Sequence, residues 1–479
     1  MSHVVLPPLD QRVIAQASDI VAGLTEILGA GGVISDAEET RAYETDALTA
    51  YRQPPLAVIL PRSTQEVSAA LRFLNERGVK VIARGAGTSL SGGALPQGDA
   101  VVLGLARMSR ILSVDTANRL AVVEAGVTNL AITGAVSHLG FFYAPDPSSQ
   151  LACTIGGNVA MNSGGAHCLK YGVTTNNVLG LKMVLIDGTV VEIGGGHLDS
   201  AGYDIMGLVI GSEGQLGVVT EVTVRILRAA EGARPVLFGF ARPEDAGACV
   251  AAIIAAGIVP VAIEYMDRPA IKVCEEFAHA GYPLDVEAML IVEVEGSPSE
   301  IEDLISCITA IAARHNPLTT RVSRSEAESA AIWKGRKSAF GAMGRISDYM
   351  CMDGVIPTGR LAEVLVEVGR ICARHRLSAA NIFHAGDGNL HPLILFNAND
   401  PDELRRAEEC GADILKLCVD VGGCLTGEHG VGIEKRDLMP YQFSPIDLAV
   451  QVRVKSAFDP QWLLNPAKVF PLETPREAA

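Results

Sequence analysis

The 479-residue sequence carries ten cysteines but no Cys-x-x-Cys, and its nearest pair, Cys418 and Cys424, has five residues between. No zinc ribbon and no iron–sulfur ligand run is therefore written in it. Cations are also scarce: 39 Lys and Arg stand against 55 Asp and Glu, a formal charge of −16. Nucleic acid and anionic membranes need clustered Lys and Arg to neutralise phosphate, so neither is expected as the main partner. The opening "MSHVVLPPLD" lacks the basic stretch and apolar core of a secretory signal. Free thiols in a reducing cytoplasm are the expectation. An unbroken membrane-length apolar run is missing as well. The longest candidate, "AGACVAAIIAAGIVPVAI", is divided by Gly257 and Pro260, which predicts a buried helix followed by a strand.

What is present points to a large globular chain. With 48% hydrophobic and 20% charged residues, it can bury the cores of two or more domains. Short Val/Ile-rich runs such as "LAVILP" and "VKVIA" alternate with helical stretches up to about residue 230. Between them, Ser63 and Glu66 read as a capping box, Val67, Ala70, Leu71 and Leu74 as one helical face, and Gly78 as its end. Beyond residue 230, runs such as "VLFGFAR" and "AMLIVEVEG" alternate with long helices, an α+β pattern that marks a second domain. No internal repeat or low-complexity segment occurs.

Three glycine-dense stretches punctuate the earlier part: "RGAGTSLSGG" from Arg84, "IGGNVAMNSGG" from Ile155 and "GSEGQLG" from Gly211. The first follows a predicted strand, yet its spacing is not G-x-G-x-x-G, and Gly92, Gly93, Pro96 and Gly98 would stop the helix that a dinucleotide fold requires. A row of backbone N–H groups can still hold a pyrophosphate without a helix. One such loop is more often a tight turn; three together favour a bound cofactor.

Two further stretches carry polar chemistry. "HAGDGNLHP" places His384 and His391 seven residues apart, and "TGEHGVGIEK" contains Glu428 beside His429. On a helix the two histidines would share a face; on a strand they would oppose each other. Gly386 and Gly388 argue against a helix, so the turn must fold the chain to bring the imidazoles together. Two His with a carboxylate from Glu428 leave open positions on Zn²⁺, Mn²⁺ or Fe²⁺. An isolated His pair is more often structural or superficial.

The segments "PRSTQEVSAALRF", "VIARGAGTSLSGGALP", "YAPDPSSQLACTIGGNVAMNSGGAHCLKYG", "GSEGQLGVVTEVTVRI", "FHAGDGNLHPLILF" and "GEHGVGIEKRDLM" together resemble the FAD-linked oxidases of the vanillyl-alcohol-oxidase fold, from about Tyr43 to Lys468. Within them the chain is most similar to FAD-linked subunits of bacterial glycolate oxidase, with D-lactate and D-2-hydroxyglutarate dehydrogenases as relatives. The resemblance implies an α+β fold: a two-part FAD-binding domain and an α+β cap, or substrate, domain with an antiparallel sheet. It places an N-terminal helical segment at residues 1–50, the FAD-binding domain at 51–230, the substrate domain with a metal site at 231–440, and a C-terminal segment returning to the FAD domain at 441–479.

The same resemblance assigns residues. Arg84, Gly85, Ala86, Gly87, Thr88, Ser89, Leu90 and Ser91 would cradle the FAD pyrophosphate. Pro145, Thr154, Gly156, Gly157, Asn158, Asn162, Gly164 and the turn from Gly211 through Glu213 and Gly217 to Val218 would line the rest, with Asn465 and Lys468 near the flavin. No His lies in the Arg84–Gly93 loop, so the FAD is expected to be non-covalent, while His167, Cys153 and Cys168 keep covalent attachment open. His384, His391 and Glu428 match the family's metal ligands, His429 its general base and Arg336 its carboxylate-binding arginine. Lys337 and Arg345 fit a solvated charged face equally well. Cys351 stands where hydroxyglutarate enzymes carry Lys, and Leu393 where they carry Asn.

The implied reaction is oxidation of a small 2-hydroxy acid, glycolate or D-lactate, to the 2-oxo acid. A cation bound by the hydroxyl and carboxylate would make the hydroxyl acidic, and hydride would pass to flavin. Electrons would leave to a partner, an iron–sulfur or flavoprotein subunit, a quinone or a cytochrome, with dioxygen a further candidate. The expected location is cytoplasmic, or peripheral to the inner membrane through partner subunits. A D-2-hydroxyglutarate dehydrogenase, a metal-dependent hydrolase and a non-catalytic oxidase subunit are the alternatives.

Overall fold

The computed structural model describes residues 4–197 and 202–473. The chain forms two compact units. The terminal unit comprises Val4–Gly164, Gly172–Arg228 and the segment from Glu428 onward; the central unit comprises Gly165–Tyr171 and Ala229–Gly427.

In the terminal unit, strands Ala57–Ile59, Ala100–Gly104 and Lys80–Arg84 lie side by side in parallel, with Val33–Ile34 antiparallel at one edge. Parallel strands need a crossover, and "STQEVSAALRFLNE" supplies it as helix Thr64–Glu76, burying Val67, Ala70, Leu71 and Leu74 as their spacing predicts. Burying each leucine contributes about 1.5–3 kcal/mol. The Ser63 hydroxyl accepts from Glu66 N at 3.2 Å, but the Glu66 carboxylate accepts from Arg62 N at 2.7 Å, so the reciprocal bond of the expected capping box falls one residue outward. The second sheet is antiparallel, in the order Ile111–Asp115, Leu120–Glu124, Val218–Arg225, Val178–Val184 and Val190–Gly194.

The central unit is built on an antiparallel sheet ordered Pro317–Val322, Gly232–Phe240, Ala288–Gly296, Ala262–Asp267 and Ser378–His384. Short strands Asn389–Leu390 and Gly354–Val355 extend it, and Pro392–Phe396 joins Ser378–His384 to Asp348–Cys351. The long apolar run resolves into helix Pro243–Ala255, a left-handed Gly257 (φ +77°) and strand Ala262–Asp267. Among the described residues no helix is long and apolar enough to cross a membrane. Helices with antiparallel sheets make the α+β architecture expected from the sequence.

Candidate active site

Strand Ser378–His384 carries His384 at its end. The chain then reverses through Gly388 (φ +79°), so that Asn389 faces His384 across the ladder. Only glycine fits this turn: a Cβ at Gly388 would lie 2.1 Å from the Ile356 carbonyl oxygen, and one at Gly386 2.5 Å from Leu169 Cδ2. His391 follows, just before Pro392–Phe396. The turn therefore packs the two buried rings edge to face, centroids 5.2 Å apart, with a nitrogen of each within 4.8 Å of the other's.

Hydrogen bonds fix how each ring is turned. His384 Nδ1 lies 2.8 Å from Glu264 Oε1, and His391 Nδ1 lies 3.2 Å from the Met352 carbonyl oxygen. A carboxylate and a carbonyl can only accept, so each Nδ1 carries a proton, the arrangement found in histidines that ligate a metal through Nε2. Glu264 is fully buried, and its Oε2 lies 2.6 Å from Arg336 Nη2. Burial pushes the Glu264 carboxyl up, but the Arg336 charge and the hydrogen bond from His384 outweigh it and hold the group below the ordinary glutamate range. Glu264 is thus an anion with a hydrogen-bonded imidazole at one oxygen and an ion-paired guanidinium at the other. Arg336, on helix Glu326–Lys337, is itself buried, and its Nε has no hydrogen-bond partner among the described residues.

The surroundings of this pair are mostly apolar. The Phe340 ring stands edge-on to His391 at 6.3 Å. Cys351 is buried opposite Leu393 in the strand register, and its thiol donates to the Met352 carbonyl at 3.4 Å. Lys337 and Arg345 are exposed, lying over the rings of Trp333 and Phe277. His167 Nε2 lies 3.3 Å from Glu293 Oε2, and Trp333 Nε1 donates to the other oxygen at 2.6 Å. Cys168 is buried in the central unit, and Cys153 in the terminal unit, where burial pushes its thiol up.

The terminal unit gathers the glycine stretches. Residues 85–91, the predicted cradle running Gly85, Ala86, Gly87, Thr88, Ser89, Leu90 and Ser91, form no helix. Arg84 donates to the Thr45 carbonyl at 2.8 Å. The second stretch differs from the loop expected: Ile155–Met161 is a helix, capped by Thr154 Oγ1, which accepts from Gly157 N at 3.4 Å, and ended by Asn162 in the left-handed region. Gly156, Gly157 and Asn158 are therefore helical, because Thr154 supplies a cap that offsets the poor helix propensity of two glycines. A Cβ at Gly85 would lie 2.2 Å from Thr154 Oγ1, so the first loop passes directly over this cap. Nearby, Asn129 Nδ2 donates to the Pro145 carbonyl at 3.0 Å, and Gly164 N donates to Glu428 Oε2 at 3.1 Å.

The third stretch and the chain's end close around the first. Glu213 sits in the left-handed region, and its carboxylate accepts from Val431 N at 2.5 Å and Gly432 N at 2.8 Å. A Cβ at Gly217 would lie 3.1 Å from the Val184 carbonyl oxygen, just before Val218 opens its strand. Asn465 Nδ2 donates to the carbonyls of Gly93 at 3.0 Å and Glu213 at 2.6 Å, joining two glycine stretches. The Ser91 hydroxyl donates to the His429 carbonyl at 2.9 Å. Several of these glycines thus serve chain-on-chain packing: a Cβ at Gly432 would lie 2.1 Å from Ser91 O, and one at Gly92 2.4 Å from Ile433 Cγ1.

One buried cation of this unit stands close to the chain's end. Lys468 Nζ is buried with no hydrogen-bond partner among the described residues. Burial pushes its pKa down to about 7, with Asp46 and Glu213 pulling the other way. A buried ammonium without an acceptor fits an anionic or carbonyl-rich group, so these residues suit a phosphate-bearing cofactor such as FAD.

Glu264 and Asp46 were not singled out from the sequence. Asp46 is buried and accepts from Leu48 N at 3.0 Å and Ala94 N at 3.2 Å. The signal for Glu264 was present in "VAIEYM": an acid inside an otherwise apolar run, where buried acids are almost always paired.

Residues 55–194 match the FAD binding domain family, and residues 230–469 match the family described as FAD linked oxidases, C-terminal domain. The chain is 47% identical to the glycolate oxidase subunit GlcD of Escherichia coli K12, over 97% of this chain and 92% of that protein. It is 32% identical to a D-lactate dehydrogenase of Archaeoglobus fulgidus, over 91% of this chain and 96% of that one. Among solved structures, 4-ethylphenol oxidase from Gulosibacter chungangensis superposes with a TM-score of 0.81 at 19% identity, over 98% of this chain and 100% of that one. p-Cresol methylhydroxylase superposes with a TM-score of 0.80 at 17% identity, over 98% and 99%. The chain belongs to the FAD-linked oxidases, an oxidoreductase family, and has their two-domain fold.

Proposed function

We propose that this chain oxidises a small 2-hydroxy acid, glycolate or D-lactate, to the 2-oxo acid, passing the electrons to a partner subunit or another external acceptor. The observation that carries the reading is the histidine pair with both Nδ1 atoms held by acceptors, next to a buried arginine whose Nε has no partner among the described residues. The relatives named as a glycolate oxidase subunit and a D-lactate dehydrogenase support the substrate class, and the word subunit supports a partner. FAD, when bound along Arg84–Ser91 and near Lys468, supplies the hydride acceptor, and a divalent cation held by His384, His391 and Glu428 would make the substrate hydroxyl more acidic.

The chain's own residues do the rest. Gly427 N donates to the Asp353 carbonyl at 2.8 Å, and a Cβ at Gly427 would lie 2.5 Å from Asn389 Oδ1, the residue paired with His384. Glu428 is the next residue along the chain, which supports it as the carboxylate ligand. Arg336 pairs with the substrate carboxylate through its planar fork, and His429 takes the hydroxyl proton as general base. Cys351 and Leu393 bring no charge for a second carboxylate, which favours a monocarboxylic acid over 2-hydroxyglutarate.

The test is anaerobic mixing of the purified flavoprotein with a panel of 2-hydroxy acids. Glycolate or D-lactate is expected to bleach the flavin absorbance, with 2-hydroxyglutarate much slower. Bleaching by 2-hydroxyglutarate alone would replace this substrate, and no bleaching by any of them would overturn the proposal.

A further inference from the structure

Glu264 stands in the middle of the sheet, facing His384 across the ladder, from which 120 residues of chain separate it. It has no exposed surface, and its two oxygens are divided between two partners: Oε1 faces His384 Nδ1 at 2.8 Å, Oε2 faces Arg336 Nη2 at 2.6 Å. One buried negative charge thus serves a ring and a guanidinium that come from different elements. It holds His384 in the tautomer that leaves Nε2 for a cation, and it fixes one edge of the Arg336 fork while Nε has no hydrogen-bond partner among the described residues. A carboxylate with only one of these partners would either leave Arg336 a buried cation without a counter-ion or leave His384 free to rotate or switch tautomer.

We infer that Glu264 is a positioning residue that aligns two separate binding groups at once: the histidine that takes a divalent cation and the arginine that takes the substrate carboxylate. The inference rests on the proposed function and deepens it. Because both groups lean on the same carboxylate, cation affinity and acid affinity rise and fall together through Glu264. No chemistry is assigned to Glu264 itself, which touches neither substrate nor cofactor.

The experiment uses the FAD-loaded enzyme and its Glu264→Gln variant. Zn²⁺ and Mn²⁺ affinities are measured by chelator competition, and KM and kcat for glycolate and D-lactate at saturating metal. The amide keeps the shape but turns a donor toward one of two donors. The expected result is a metal Kd weakened by about ten- to a hundredfold and a raised KM, with kcat at saturation much less affected and flavin absorbance unchanged. Arg336→Lys, with Glu264 intact, should raise KM while leaving the metal Kd near that of the parent. If Glu264→Gln does not fold, Glu264→Asp serves: its charge is kept but its reach is one methylene shorter, so both constants should again worsen. A parental metal Kd in these variants would reduce Glu264 to a counter-ion for Arg336 and overturn the inference. A weakened metal with an unchanged KM would overturn it too, since Glu264 would then serve His384 alone. If the parent enzyme itself binds no divalent metal, it is the proposed function that falls, which the parental titration reveals before any variant is made.

Discussion

Two buried cations, Arg336 in the central unit and Lys468 in the terminal unit, are met in opposite ways. In the central unit the charged groups are matched in pairs: Glu264 has His384 on one side and Arg336 on the other. In the terminal unit Lys455 is likewise paired with Asp459 at 2.6 Å, but Lys468 Nζ has no hydrogen-bond partner among the described residues. The contrast separates a site whose groups are positioned by one another from a cradle that is electrically incomplete by itself. The first should tolerate loss of a ligand but not of a side chain; the second should tolerate side-chain changes at its rim but depend on what fills it.

Four measurements would sharpen or break this division. The largest effect is expected at the proposed reacting groups. His429→Ala should retain flavin absorbance yet lower the rate of flavin reduction by about 10²–10⁴-fold, and His384→Ala should reduce metal content to background, again with the flavin in place. Loss of flavin from either variant would blur the two regions into one. Next is Arg336→Leu, which leaves Glu264 buried without its counter-ion; urea titration should show a destabilisation of about 3–5 kcal/mol, partly relieved in the Arg336→Leu, Glu264→Gln double variant. A smaller cost, about 1–3 kcal/mol, is expected for Gly432→Ala, whose Cβ would meet Ser91 O, accompanied by weaker FAD retention on gel filtration.

The smallest effect is a matter of protons. With its pKa near 7 in the folded chain, Lys468 is mostly neutral at pH 8. An anion bound beside it raises that value again, so apoprotein taking up FAD should also take up a fraction of a proton at pH 8 and almost none at pH 6, where the amine is already charged. The sign for folding follows the same logic. A lysine whose folded pKa lies below its unfolded value of about 10.4 lets the unfolded chain bind more protons between the two, so the apoprotein gains stability from this group as pH rises from about 7. Calorimetry in buffers of different ionisation enthalpy reads the uptake, and Lys468→Met should abolish it.

Much of this was legible in the residues. The reversal between His384 and His391 follows from Gly386 and Gly388, and the helix after Ser63 from its apolar spacing, because both depend on neighbours in sequence. The second glycine stretch was misread as a loop, since two glycines outweigh a single Thr154 when the cap's geometry is not in hand. Glu264 could be noticed as an acid in an apolar strand, but its partners could not: its place opposite His384 is set by a cross-strand register between distant segments. Likewise Asn465 reads as a loop residue until the chain's end returns to it the carbonyls of Gly93 and Glu213.

That return has a consequence for how the protein is made. Strand Lys80–Arg84 donates a backbone bond from Val81 N to the Leu463 carbonyl and accepts one at the Val81 carbonyl from Asn465 N, and Gly93 waits 372 residues for the amide that ties it down. Every residue of the central unit is joined to the nascent chain before Glu428, whereas the terminal unit begins early and is completed last. A chain that stops short of Asn465 lacks the amide that joins the Gly93 and Glu213 carbonyls, so a ribosome stalled there should hold a chain that retains FAD more weakly than the released protein.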